Sequence, residues 1–161
     1  MTNELNIMRM LPEHVERVYA IELEVFADDP APLSWFTDSF LDPASYYYVA
    51  FWNDELVGYC GMYHNTSFAV HYCKIAAITV KENFRGKGIG KALMATMLDN
   101  AKELGLSQAK LEVSTKNDAI KLYKAFGFEV TETIENFYDE IGEDAYIMKA
   151  FFKEKPFENV E

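Results

Sequence analysis

The sequence predicts an α+β domain built on a mixed sheet of about seven strands with about four helices, and three observations carry that expectation. The hydrophobic patterns follow the order β, α, α, β, β, β, α, β, α, β, β. Residues 45–63 read as a hairpin, and a strongly periodic helix starting at Gly90 lies between two β-rich runs. Half of the 161 residues are hydrophobic and 15% are aromatic, which suits a packed core and argues against disorder. At this length one domain is expected, over residues 1–153, with 154–161 a frayed tail.

Each element has its own signal. Leu5 to Met10 opens as a short strand, and Pro12 suits the start of a helix over about 12–26, where Val15, Val18, Tyr19, Glu22 and Phe26 fall at helical spacing. Asp28-Asp29-Pro30-Ala31-Pro32 breaks that helix, and a second, short one opens at Leu33 or Ser34 and carries Trp35, Phe36, Phe40 and Leu41. Ser45 to Trp52 and Leu56 to Tyr63 are hairpin strands around Asn53-Asp54-Glu55, and another strand spans about 72–80. Leu93, Met94, Met97, Leu98, Ala101 and Leu104 then recur in three- and four-residue steps up to Gly105, which ends the long helix. Ala109 to Ser114 is a strand; Asn117 caps a helix with Ile120, Tyr123 and Phe126 on its apolar face, closed by Gly127. Phe128 to Ile134 and Asp144 to Phe152 complete the sheet as an antiparallel pair.

Charge and composition exclude several function classes. A formal net charge of −11 argues against general binding to nucleic acid or anionic membrane, because lysine and arginine supply the sequence-independent part of such affinities. Asp28, Asp29, Asp139, Glu140, Glu143 and Asp144 either form an acidic rim that attracts a basic peptide or simply solvate the surface. The start Met-Thr-Asn-Glu-Leu-Asn lacks the pattern of a signal peptide, and no run approaches the roughly 20 apolar residues of a membrane span, so a cytoplasmic protein is expected. Cys60 and Cys73 fall in strands without metal-ligand spacing and are expected as reduced, buried thiols. His14, His64 and His71 show no ligand spacing, and no metal is expected.

The chemistry-bearing stretch is Arg85-Gly86-Lys87-Gly88-Ile89-Gly90-Lys91, between the β-branched run 75–80 and the long helix. Glycines let the backbone turn tightly and approach a ligand, and the first amides of the following helix lack intrahelical acceptors, so they can point at an anion. Lys91 stands where both a dinucleotide fingerprint and a P-loop beginning at Gly86 require glycine, so neither reading applies. What remains is Arg-x-x-Gly-x-Gly between a strand and a helix. It resembles the acetyl-coenzyme A pyrophosphate loop of the GCN5-related N-acetyltransferases, the GNAT superfamily.

A second block supports the resemblance: Leu111-Glu112-Val113 on a strand, then Asn117 to Tyr123, then Phe126-Gly127-Phe128. The likeness spans nearly the whole chain and is greatest to the ribosomal-protein alanine (RimI) type. Ile21-Glu22, Phe26, Trp35, Phe40, Asn136-Phe137-Tyr138 and residues 143–148 also carry it. The resemblance implies a GNAT fold, acetyl-coenzyme A as co-substrate, and a primary amine as acceptor. For this type, that amine is the α-amine at the N-terminus of a ribosomal protein.

By resemblance, the main chain of Ile78, Thr79 and Val80 runs beside the pantetheine arm as an added strand, and residues Arg85 to Lys91 hold the pyrophosphate. Asn117 contacts the cofactor near the same arm. Glu112 acts as a water-relayed base, Tyr123 protonates the sulfur, and the N–H near Val80 steadies the oxyanion. Trp35, Glu112 and Tyr138 face the acceptor peptide. Read from the residues alone, Tyr123 is equally a core aromatic and Asn117 an ordinary cap, while Glu112 is a lone carboxylate sharing a strand face with Lys110.

The loop 27–34 is longer than is usual for the RimI type and borders the acceptor site of that fold, so the acceptor is less determined than the chemistry. A small amine such as a polyamine, amino sugar or amino acid is the rival substrate, and a non-catalytic acyl-coenzyme A-binding module the rival function. A monomer or homodimer is compatible with all three.

Overall fold

In order along the chain the strands and helices are β1 (Leu5–Arg9), α1 (Val15–Val25), α2 (Leu33–Asp38), β2 (Ser45–Trp52), β3 (Glu55–Asn65) and β4 (Tyr72–Val80). They continue as α3 (Ile89–Glu103), β5 (Gln108–Ser114), α4 (Ile120–Ala125), β6 (Glu129–Tyr138) and β7 (Glu143–Phe151). Short 3-10 turns, Pro12–His14 and Glu82–Phe84, lead into α1 and out of β4. This computed structural model describes residues 3–66 and 69–152.

The seven strands form one mixed sheet in the order β1-β2-β3-β4-β5-β7-β6. Only β4 and β5 run parallel, because α3 carries the chain back between them; every other pair is antiparallel. Strand alternation divides the hydrophobic residues between two cores. Tyr48 and Ala50 of β2 join Leu93, Met94, Met97, Leu111 and Val113 on the α3 side, while Tyr47 and Val49 join Val18, Ile21, Phe36 and Tyr59 on the α1 and α2 side. The sheet is therefore a middle layer with helices on both faces.

Two local features shape the middle of the sheet. The two-residue turn at Asn53 and Asp54 has φ of 48° and 68°, the left-handed pair that matches strand twist and that short polar side chains tolerate. In the β3–β4 ladder Gly61 pairs with Ala77 and Met62 with Ile75, which leaves Ala76 as a bulge residue. Before the bulge Cys73 and Ile75 face the α3 core; after it Ile78 and Val80 do. On the other side of β3, the Tyr47 ring of β2 packs over Gly61, where an added Cβ would lie 2.4 Å from it.

The structure differs from the sequence reading at element ends. α2 stops at Asp38, so Phe40 and Leu41 lie in the turns beyond it, and Ser39 Oγ donates to Phe36 O at 2.6 Å across the helix end. α4 begins at Ile120 rather than just after Asn117, whose Oδ1 accepts from the Ala119 N–H at 2.8 Å and turns the chain before the helix starts. β6 runs to Tyr138, four residues beyond its expected end, because Tyr138 pairs with Glu143 across a short loop. The expected frayed tail, 154–161, lies outside the described residues.

Candidate active site

β4 and β5 pair only at Tyr72 with Gln108, Cys73 with Ala109 and Lys74 with Lys110. Beyond Lys74 they part: β4 follows β3 through the bulge, and β5 stays paired with β7 as far as Ser114. The gap opens into a cleft of about 600 Å³. It gathers Ile78, Thr79, Val80, Arg85, Gly86, Gly88, Ile89, Gly90, Lys91, Asn117 and Tyr123, eleven of the residues singled out in the sequence. Lys87, Trp35, Glu112 and Tyr138 are not among its lining residues.

One wall is open strand edge. Lys81 N–H donates to Val57 O at 2.8 Å, so alternation along β4 turns Thr79 toward β3 and turns the N–H and C=O of Val80 and Ile78 toward the gap. Val80 O is taken by Arg85 Nε at 3.1 Å, an interaction that folds the arginine back over the strand end. The remaining polar groups of that edge suit an extended ligand lying alongside.

The mouth of the cleft is the glycine loop. Gly86 and Gly88 have φ of 78° and 84°, a region costly for side-chain-bearing residues, and Gly88 is the N-cap of α3. A Cβ at either glycine would meet nothing within 4 Å, so the requirement is conformational rather than steric. The first bond closing the helix is Ala92 N–H to Gly88 O, 3.0 Å, which leaves the amides of Ile89, Gly90 and Lys91 without intrahelical acceptors at the positive end of a 15-residue helix. Lys87 turns away, with its Nζ 5.5 Å from the centre of the Trp52 ring.

Tyr123 forms part of the cleft wall and packs edge-on against Phe128, 8% exposed. Burial, with a smaller contribution from Tyr138, raises its phenol above the ordinary value and keeps it protonated. The Tyr138 phenol is raised by burial and then by the carboxylates of Glu112 and Glu143. Tyr138 thus stands electrostatically between Glu112, which acts on it, and Tyr123, on which it acts. Glu143 also accepts a short hydrogen bond from Ser114 Oγ.

One expectation changes. Glu112 does leave β5 on the face opposite Leu111 and Val113, but it is not a lone carboxylate: Lys74 Nζ lies 3.1 Å from its Oε1. The parallel pairing that sets Lys74 beside Lys110 brings Glu112 within diagonal reach. Trp35 is partly buried and packs against the α1–α2 core; its Nε1 donates to Tyr63 Oη at 2.6 Å, and Tyr63 Oη lies 3.2 Å from Tyr47 Oη.

The sequence reading missed Glu22 as a site element. It is buried, 4% exposed; Oε1 accepts from the Ala31 N–H at 2.9 Å and Oε2 accepts a short hydrogen bond from Tyr59 Oη. Tyr59 is in turn the cross-strand partner of Thr79, beside the open edge of β4. Val25, Phe26, Phe84 and Leu122 also line the cleft. Two signals marked Glu22: an acidic residue on an otherwise apolar helix face, and its place among the residues that carry the resemblance. Among the described residues no cluster of His, Cys, Asp and Glu suits a metal ion, and no helix is long and apolar enough to cross a membrane.

Residues 10–128 match the model of the acetyltransferase (GNAT) family. A putative ribosomal protein bS18-alanine N-acetyltransferase of Bacillus subtilis is 29% identical over 149 residues, covering 92% of this chain and 96% of the relative. The N-alpha-acetyltransferase RimI of Mycobacterium tuberculosis is 30% identical over 150 residues, covering 92% and 93%. The crystal structure of the ribosomal-protein-S18-alanine N-acetyltransferase of Escherichia coli superposes with a TM-score of 0.83 at 21% identity, over 98% of this chain and 99% of that one. Naa50 of Arabidopsis thaliana, solved with the bisubstrate analogue CoA-Ac-MVNAL, gives 0.77 at 26% identity, over 92% and 99%.

Proposed function

The chain belongs to the GNAT acetyltransferase family, and from that premise we propose that it moves the acetyl group of acetyl-coenzyme A to the N-terminal α-amine of a protein, with a ribosomal protein as the first candidate. One observation carries the co-substrate assignment: the glycine loop, the unpartnered helix amides and the open edge of β4 line one continuous cleft. These donors fit the ligand. Amides and Lys91 at the mouth meet a pyrophosphate, and the gap-facing groups of Ile78 and Val80 meet the amides of a pantetheine arm as an added strand would. Relatives named as N-terminal acetyltransferases, matched over nearly their whole length, support the acceptor class.

Acetyl-coenzyme A supplies an activated thioester, and the chain's own residues do the rest. Glu112, through a water, takes the proton of the attacking amine. A β4 amide facing the gap near Val80 holds the charge that develops on the carbonyl oxygen. Tyr123, held neutral by burial, gives its proton to the departing sulfur. Tyr138, raised by burial and by the Glu112 carboxylate and itself acting on Tyr123, shapes the acceptor side. A peptide α-amine loses its proton at neutral pH more cheaply than a lysine, by about 3–4 kcal/mol, so a single relayed carboxylate suffices more readily for it. The buried thiols of Cys60 and Cys73, both unpaired, suit a reducing cytoplasm.

Incubation with acetyl-coenzyme A and a panel of N-terminal peptides, ribosomal sequences included, tests this reading by mass spectrometry of the products. Acetate on the peptide α-amine is the expected result. Acetate found only on free polyamines, amino sugars or amino acids overturns the acceptor assignment and leaves the chemistry intact.

A further inference from the structure

We propose, resting on the acetyltransferase reading, that Lys74 is itself an acceptor: the protein acetylates its own Lys74 Nζ from acetyl-coenzyme A bound in its own cleft. An acceptor amine has to reach the base and the end of the thioester arm together. Lys74 Nζ already touches Glu112 Oε1 at 3.1 Å. Its side chain is 44% exposed and that of Glu112 24%, so the pair is reachable and is not locked in the core.

Topology supplies the second requirement. Lys74 is the last residue of β4 paired with β5, and it therefore stands at the closed end of the gap whose open end is the glycine loop. An arm anchored at residues 85–91 and running back along Val80 and Ile78 points toward it. The separation is short: four residues lead from Ile78, whose N–H faces the gap, to Lys74, about 13 Å at roughly 3.3 Å each, less what the bulge removes, and the long lysine side chain covers part of it. The neighbouring lysine is not equivalent, since Lys110 Nζ lies over the Tyr72 ring, 6.0 Å from its centre.

The step balances without a further reactant. The Lys74 ammonium passes one proton to Glu112, and the freed lone pair forms the N–C bond as the thioester C–S bond breaks. The sulfur leaves with that electron pair and takes the Tyr123 proton; the second amine proton returns to Tyr123 through solvent. The products are acetyl-Lys74, free coenzyme A and one proton. The acetylated side chain is neutral and no longer pairs with Glu112, so the carboxylate becomes available to an incoming amine.

The purified full chain, incubated with isotopically labelled acetyl-coenzyme A and no peptide, is digested and its lysines are compared by residue-resolved mass spectrometry. Lys74 is expected to gain acetyl roughly a hundredfold faster than Lys110 or Lys121, at a rate independent of protein concentration. Glu112→Gln and Tyr123→Phe are expected to bring it down to the level of those lysines, and Lys74→Arg to abolish the mass gain at that position. Lys74 modified no faster than its neighbours, or equally fast in Glu112→Gln, overturns the proposal as mere chemical acetylation. A rate per molecule that rises with protein concentration overturns it as transfer between molecules. Acetylated peptides alongside an unmodified Lys74 overturn self-acetylation alone, whereas no acetyl transfer to peptide, small amine or Lys74 overturns the enzymatic reading with it.

Discussion

Tyr123 combines a place in the cleft wall with a phenol that burial holds protonated, and the two together set its expected behaviour. Tyr123→Phe keeps the ring packing and removes the proton, so kcat should fall by roughly tenfold to a thousandfold with little change in coenzyme affinity, read from steady-state kinetics and a binding titration. The sign of the pH effect comes from the shift. A phenol raised above its ordinary value of about 10 remains an acid to higher pH, so Tyr123 ionisation should cause no loss of kcat between about pH 8 and 10. A fall across that window in the wild type, absent from Tyr123→Phe, would contradict the assignment. The places of Tyr123 and Asn117 in the cleft wall were legible through the family resemblance, whose second block holds both. The partner of Glu112 was not, because Lys74 lies on another strand and only the register of one parallel pair brings them together.

At the level of elements, the glycine loop works through backbone conformation. Gly88→Ala meets open space and yet forces a side chain into φ near 84°, at a cost of about 1 kcal/mol. The expected result is a several-fold higher KM for acetyl-coenzyme A, with kcat largely kept, because α3 must start in a less favourable shape. The core helix and the hairpin were readable, since Leu93, Met94 and Met97 recur at helical spacing and Asn53-Asp54 demand a tight turn. Element ends were less so. Asn117 reads as a cap, but its side chain closes a turn ahead of α4, and Phe40 and Leu41 read as helix because they share the apolar character of Trp35 and Phe36. The bulge at Ala76 leaves no local mark, since Ala76-Ala77 continues an ordinary apolar strand.

Across the whole molecule, Glu22 joins parts far apart in sequence: α1, the 27–32 loop through Ala31, and β3 through Tyr59, whose cross-strand partner is Thr79 of β4. Glu22→Ala leaves the buried Tyr59 hydroxyl and the Ala31 N–H without this acceptor, at about 1–3 kcal/mol for each group left unsatisfied, and Tm should fall by about 2–4 °C per kcal/mol. With the loop beside Val25 and Phe26 released, KM for the acceptor should rise more than KM for acetyl-coenzyme A. The net charge of −11 acts at the same scale. Asp28 and Asp29 follow Phe26, and Asp139 and Glu140 follow Tyr138, all four exposed, so a peptide with lysines downstream of its N-terminus should show a KM that rises with added salt. An acidic counterpart should show the opposite trend, and identical salt curves for the two would reduce these carboxylates to surface solvation.

The parting of β4 from β5 leaves the sheet crossed by a seam only three register pairs long. A molecule joined this way is an unfinished surface until something extended fills the opening. Whatever fills it favours the folded chain over the unfolded one in proportion to RT ln(1 + [L]/Kd). With acetyl-coenzyme A as the proposed occupant, resistance to heat and to proteases should rise with its concentration, as thermal melts and limited proteolysis would read.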